Sequence, residues 1–593
     1  MLRSLFLAAV ALAATGPLHA ADASVELTTV AERSGFVKTG RYDEVMALCP
    51  AFARAYPDAV RCFEFGRTPE GRPMLALVAS RSGALTAQAT RERGLPVLLA
   101  QGGIHAGEID GKDAGFLALR EVLDGEAAKG ALDDTVFVFV PVFNVDGHER
   151  MGRWNRPNQR GPQEMGWRTT AQNYNLNRDH VKADAPEMQA MLRLHDEWDP
   201  IVSADLHVTN GAQFEHDISF NVEPVYSGDA GLRRAGLTLR SALVNRLTRD
   251  GSLPLPFYPS FVIHDDPASG FEDGVPPPRF SHGYLALRNR IGVLVETHSW
   301  KDYPTRVRAT RQTLHALFGL VAEHGRRWKN LADKADTDAR KLGGTRVALT
   351  YKAGERARTL AFRGYAYTRT PSEISGALMT RYDPDTPQIW KIPLRDDVQP
   401  QLTIIAPKAG YLVPPAYAQE VGAKLALHGI QSHAIETPIE AADTQTFRAT
   451  KAQFSTTPSE GRQRVELTGE WKSESRSVPA GSIFVPIAQP RARLVIAMLE
   501  PQAPDSLAAW GMFNRAFVQV EYMEDYVAED VARTMLRDDP ALAAAFHARL
   551  ASDPEFAKSP SARLEFFARR HSAWDERYNL YPVLRVDVAP PVK

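Results

Sequence analysis

Four short apolar runs constrain this chain most: PVLLAQGG at 96–103, TVFVFVPVFN at 135–144, PIVSADLH at 200–207 and IGVLVETHS at 291–299. Each is rich in β-branched or aromatic residues and bounded by turn formers. Continuous rather than alternating apolar character marks strands buried on both faces. Helical patterns lie between them, among them GKDAGFLALREVL at 111–123 and APEMQAMLRLHDEW at 185–198. Strands alternating with helices predict an α/β domain with a mixed, mostly parallel central sheet flanked by helices.

At 593 residues the chain exceeds one ordinary domain. A polar helical segment from about Ala309 to Leu342 ends at Gly343-Gly344. Beyond it RVALTYKAGERARTLAFRGYAYTR, QLTIIAPKAGYLVPP and SIFVPIAQ read as β-rich structure. One helix, AYAQEVGAKLALHG, is stopped by Gly429, and helices return from about Asp530 to Tyr578. The expected organisation is an α/β domain over 21–343 and a second domain over 344–593, β-rich and then helical. The opening MLRSLFLAAVALAATGPLHA has the basic start, short apolar core and small residues of a signal peptide over 1–20. That core is too short to span a bilayer, and no later run is long enough, so the expected location is secreted or periplasmic. A net charge of −1 without a long basic run gives no support to nucleic acid as a partner, and none is expected. Cys49 and Cys62 are the only cysteines, so a thiolate zinc cluster is excluded. In an oxidising compartment the pair is expected to form one disulfide, the other reading being two buried thiols.

Ligand sites in open α/β sheets gather beyond the carboxyl ends of strands, where loops converge on a rigid base. His105 and Glu108 follow the first apolar run, His207 closes the third, and Glu296 lies near the end of the fourth. Two histidines and a carboxylate are the donor set of a catalytic zinc site with one open position. The His-x-x-Glu spacing alone is weak, because His433 and Glu436 repeat it. Those two fall in the extended stretch GIQSHAIETPIE, where residues three apart face opposite sides. His105 sits instead in a glycine-flanked loop that lets both side chains converge. The blander readings are a solvated strand-end Glu296, and His264, Asp265 and Asp266 facing solvent in a Pro/Gly-rich loop.

HAGE at 105–108, NVDG at 144–147, RWNRPN at 153–158, NYNLNRD at 173–179, ADLH at 204–207 and VLVE at 293–296 occur in the order seen in zinc carboxypeptidases. The segment from about Arg61 to Arg326 resembles the carboxypeptidase A family, in a bacterial secreted branch. The resemblance implies one zinc ion held by His105, Glu108 and His207, with Glu296 as general base. It also implies that Asn177 and Arg178 grip the terminal carboxylate of a peptide. An oxyanion arginine in the family follows a tryptophan directly. Here Trp154 is followed by Asn155 and then Arg156, so the resemblance points to Arg156, with Arg153 second. Asn175 stands where the family has an aspartate bonded to the first zinc histidine. Tyr284 is the nearest candidate for the substrate-capping tyrosine, the other reading being a tyrosine packed under the loop. The stretch from Leu253 to Pro278 is long enough to wall or cover the cleft. The activity implied is removal of one residue from the C-terminus of a peptide that carries a free carboxylate. The alternatives are a zinc amidase or deacylase acting on cell-wall peptides or N-acyl amino acids, and a non-catalytic peptide-binding surface protein.

Overall fold

The structure, a computed structural model, describes residues 27–591. The expected signal peptide lies outside the described residues. The first nine strands are β1 (Val60–Arg67), β2 (Pro73–Ala79), β3 (Val97–Gly102), β4 (Val136–Val140), β5 (Val202–Thr209), β6 (Ile218–Glu223), β7 (Pro254–Leu255), β8 (Phe271–Glu272) and β9 (Ile291–His298). All but β8 form one sheet in the order β1–β2–β4–β3–β5–β9–β6–β7. Its centre, β4–β3–β5–β9, is parallel, while β1, β2 and β6 pair antiparallel at its flanks. These four central strands are the four apolar runs, and every residue in them is buried. A strand covered by helices on both faces has no solvent side, which is why their sequences do not alternate.

The main covering helices are α1 (Tyr42–Ala55), α2 (Asp110–Leu123), α3 (Pro186–Trp198), α4 (Ala230–Arg249), α5 (Ser281–Leu287) and α6 (Tyr303–Ala339). α6 packs along α2 and α4. α2 lies close on the sheet because Gly115 has no side chain: a Cβ there would fall 2.1 Å from the Phe139 ring. A disulfide joins Cys49 of α1 to Cys62 of β1.

The chain divides into two compact units. The first holds residues to Ala339 together with Thr350–Thr403 and Leu427–Gly429. The boundary expected near Gly343 therefore misses a return of the chain. After β10 (Arg346–Ala353), the long hairpin β11 (Arg358–Pro371) and β12 (Leu378–Arg395) lies in the first unit, where Leu394 and Arg395 pair with β8. A two-stranded hairpin cannot cover its own apolar face. Phe362, Trp390, Ile392 and Leu394 pack instead on Phe214, Phe257 and Phe271. Asp265 and Asp266, expected to face solvent, tie this hairpin down: Asp265 accepts from Thr380 N at 2.9 Å and Asp266 pairs with Arg369 at 2.9 Å.

The second unit contains a six-stranded antiparallel sheet within 410–586, the helix Pro415–Leu427 as far as Ala426, and four helices between Asp525 and Ala568; Gly429, at φ +66°, follows the end of that helix and is counted in the first unit. No helix among the described residues is long and apolar enough to cross a membrane.

Candidate metal centre and substrate cavity

At the end of β3 the chain turns through Gly103, at φ +63°, into the loop that carries His105 and Glu108. Glu108 N donates to His105 O at 2.9 Å, so the two side chains leave a tight turn on one side. The loop is pressed close to its neighbours, since a Cβ on Gly107 would lie 2.6 Å from Gly166 O. His207 on β5 and Glu296 on β9 are direct register partners in the parallel ladder, and therefore stand side by side.

The donor atoms of His105, Glu108 and His207 lie within 4.8 Å of one another, and all three residues are buried. His105 Nδ1 is 2.9 Å from Glu108 Oε1, and His207 Nδ1 is 2.9 Å from Glu108 Oε2. Each imidazole turns its other nitrogen outward to an oxygen: His105 Nε2 to Asn175 Oδ1 at 3.1 Å, His207 Nε2 to Asp205 Oδ2 at 3.0 Å. Such partners fix ring orientation and leave Nδ1 as the inward donor.

Burial disfavours charge throughout this cluster, and the neighbours decide which groups keep it. Burial opposes ionisation of Glu108, but Arg156, His105 and His207 outweigh it and hold the carboxyl well below its usual range. Burial pulls His105 down to about 4. His207 suffers the same penalty, yet Asp205 and Glu108 hold it well above the usual histidine value. For Glu296 burial dominates, reinforced by the negative charges of Glu108 and Asp205, and the carboxyl rises to about 8. Its Oε2 is buried with no hydrogen-bond partner among the described residues.

A cavity of about 370 Å³ opens on this cluster, and His105, Glu108, His207, Glu296, Asn177 and Arg178 all line it. Six of the eight expected site residues thus share one space. Asn177 and Arg178 sit on a single turn, Leu176–Arg178. The Asn177 Oδ1 is buried without a partner among the described residues, and the Arg178 guanidinium lies 4.5 Å over the Phe280 ring.

Arg156 and Tyr284 do not face the cavity. Arg156 is buried behind Glu108, with Nη1 at 2.7 Å from Oε1, Nη2 at 3.1 Å from both Val208 O and Asn210 Oδ1, and Nε at 3.3 Å from Gln159. Those bonds leave the guanidinium braced against protein. Its fallback, Arg153, is exposed and stacks on Trp154 at 5.0 Å. Tyr284 is 1% exposed on α5, its hydroxyl 2.8 Å from His428 Nδ1, which is the packed reading rather than the capping one.

Arg168 and Tyr258 are among the cavity residues that were not anticipated. Arg168 lines the wall with Nη1 3.4 Å from Glu108 Oε1. Its signal was present in MGWRTT, where Trp167 is followed directly by arginine. Tyr258 lines the mouth, with its hydroxyl 3.2 Å from Thr209 Oγ1. Desolvation, helped by the charge of Glu296, pushes its phenol up to about 12. It comes from the 253–278 stretch expected to wall the cleft, as do Pro276 and Pro277.

Two inward nitrogens and one carboxylate, each oriented from behind, suit a divalent ion that prefers mixed nitrogen and oxygen ligands. A family match agrees with that donor set. Residues 45–221 match the family model described as zinc carboxypeptidase. A carboxypeptidase 2 of Trichophyton tonsurans is 24% identical over 469 residues, covering 75% of this chain and 79% of that protein. The inactive metallocarboxypeptidase ECM14 of Saccharomyces cerevisiae is 34% identical over 123 residues, 19% of this chain and 27% of that one. Among solved structures, carboxypeptidase A from Helicoverpa armigera aligns at a TM-score of 0.35 and 17% identity, over 53% of this chain and 79% of that one. A metallo-carboxypeptidase from Burkholderia cenocepacia aligns at 0.34 and 17%, over 46% and 68%. The family match covers both the His105–Glu108 loop and His207, so it is the segment 45–221, with its three metal-site residues, that belongs to the zinc carboxypeptidase family.

Proposed function

We propose that this protein is a zinc metallocarboxypeptidase that removes the C-terminal residue of a peptide. The observation that carries the reading is the pairing of His207 with Glu296 across β5 and β9, which sets an unpartnered carboxylate beside the His105–Glu108–His207 donor cluster in one cavity. His105 Nδ1, Glu108 and His207 Nδ1 would hold the ion. Zinc bound in such a site lowers the pKa of its water toward about 7 and polarises a carbonyl.

The remaining work belongs to side chains. Glu296, in its ionised form, takes the proton of the attacking water at its free oxygen and passes it to the leaving amine. Arg178 binds the terminal carboxylate, since its planar fork offers two parallel donors, and Asn177 stands beside it. Arg168 faces the negative charge that develops on the carbonyl oxygen, the role first assigned to Arg156. Tyr258 covers the bound residue from the mouth. The Cys49–Cys62 disulfide supports action outside the cytoplasm.

The test compares peptides with free and amidated C-termini, on the parent enzyme and on Glu296→Gln. Hydrolysis should need the free carboxylate, and the variant should lose about 10²–10⁴ in kcat while keeping its zinc. Equal rates on both peptides would favour the amidase alternative. A Glu296→Gln enzyme as fast as the parent would remove the proposed base.

A further inference from the structure

A second cavity, of about 230 Å³, is lined in part by residues that neighbour the wall of the first along β9 and β5. Residues two apart on a strand share a face and stand about 7 Å apart. Along one face of β9, Leu294 and Glu296 line the first cavity and His298 lines the second. Thr209, in the wall of the first, is the register partner of His298. His298 is 1% exposed and stacks on Phe214 at 4.2 Å, yet neither ring nitrogen has a hydrogen-bond partner among the described residues. Burial, with Lys301 and other cations nearby, pulls its pKa down to about 3, so the neutral ring keeps one N–H to donate. A buried donor left unmet is destabilising, and an acceptor bound here would relieve it.

The rest of the wall is cationic. Arg160 and Lys301 line it, and neither has an ion-pair partner among the described residues. The Arg160 guanidinium lies over the Trp300 ring at 5.5 Å, and Lys301 Nζ donates to the Tyr365 hydroxyl at 3.3 Å. Asp302, the carboxylate of the wall, is engaged at the start of α6, accepting from Thr305 N at 3.0 Å. The outer side comes from the β11–β12 hairpin, whose register slips between Tyr365 and Ala366 and leaves Pro384 out of the ladder. A bulge of this kind re-aims side chains, and it lies outside the segment that matches the family.

We propose that this pocket is a subsite for a carboxylate side chain of the substrate, an aspartate or glutamate one or two residues upstream of the scissile bond. The assignment rests on the carboxypeptidase reading above. Arg178 then takes the terminal carboxylate in the first cavity, whose floor runs to Leu294. The second cavity lies the other way along β9, past Glu296. An extended peptide rises about 3.3 Å per residue, so the step from Glu296 to His298 spans about two residues. A pocket this small suits one side chain rather than a whole ligand.

The experiment uses the full-length, zinc-loaded enzyme and six peptides, acetyl-Ala-Ala-Ala-Xaa-Phe and acetyl-Ala-Ala-Xaa-Ala-Phe with Xaa as Glu, Gln or Lys. At one of the two positions kcat/KM for Glu should exceed that for Gln by about five- to tenfold, with Lys lowest. The double variant Arg160→Gln/Lys301→Met should bring Glu and Gln within twofold of each other and leave the Gln rate unchanged. If the double variant unfolds, Lys301→Met alone should at least halve the preference. Equal Glu and Gln rates in a parent enzyme that cleaves all six would overturn the subsite alone, as would a preference that survives the substitutions. Failure to cleave any of the six would overturn the carboxypeptidase reading and the subsite with it.

Discussion

Replacing Arg168 and Arg156 by glutamine, one at a time, separates two roles that a shared neighbour, Glu108, would otherwise merge. Arg168 reaches Glu108 at 3.4 Å with a side chain 36% exposed, and it lines the cavity. On the proposed mechanism its loss removes a donor from the place where charge develops. One such donor is worth about 10²–10³ in kcat. Water screens a group this exposed, so the expected loss is near the lower end, about a hundredfold, with KM, zinc content and melting temperature little changed. Arg156 is different in kind. Its Nη1 lies 2.7 Å from Glu108, its side chain is 5% exposed, and its loss also strips Val208 O and Asn210 Oδ1 of their donor. Breaking a buried pair costs about 3–5 kcal/mol. His105 and His207 remain beside the carboxylate, so about 3 kcal/mol is expected for the metal-free protein. The assays are steady-state kinetics on a peptide with a free C-terminus, zinc per chain by mass spectrometry, and urea melts without metal. The reverse pattern, a stable and zinc-replete Arg156→Gln that is a hundredfold slower beside an unaffected Arg168→Gln, would refute the argument.

Lys112 on α2 is fully buried, bonded to Gly40 O at 3.0 Å and paired with Glu44 and with Asp113 at 3.2 Å. Lys112→Met should cost about 3–5 kcal/mol in a denaturant melt, and a loss under about 1 kcal/mol would contradict the pairing. Burial raises the Glu223 carboxyl to about 8, and its Oε1 has no partner among the described residues. The folded state therefore holds a proton that the unfolded chain has already released. Its contribution to stability is full below about pH 4.5 and is lost, at up to about 1.4 kcal/mol per unit, as pH rises toward 8. Glu223→Gln should flatten that slope, and an unchanged pH profile would exclude it. Replacing both Cys49 and Cys62 by serine should cost about 3 kcal/mol on loop-closure entropy, and an unchanged urea midpoint would show that the bond constrains nothing.

The central sheet and the metal cluster were legible for the same reason. β3, β4, β5 and β9 are continuous apolar runs, and His105, Glu108, His207 and Glu296 lie at or near their carboxyl ends. Strand ends in such sheets converge, so position along the chain predicts position in space. The arginine was not legible in that way. Arg156 and Arg168 both lie in an irregular stretch between Glu149 and Leu176, with no periodicity to say which side chain turns inward. The tyrosine failed likewise: Tyr284 sits on a helix face that packs inward, and Tyr258 comes from a loop.

The amino-acid order alone determined which strands are buried on both faces, where they surface, and which imidazoles and carboxylates appear there. These depend on local pattern, because burial of an apolar run and the turn after it are set within about ten residues. Tertiary packing alone decided which guanidinium and which tyrosine line the cavity, and that the hairpin at 358–395 returns to place Tyr365 and Pro384 in a second pocket with Arg160, His298 and Lys301. Each of those outcomes depends on contact between segments far apart in the chain. Such contacts form only where separate apolar faces, such as Phe362 and Trp390 against Phe214 and Phe271, find each other.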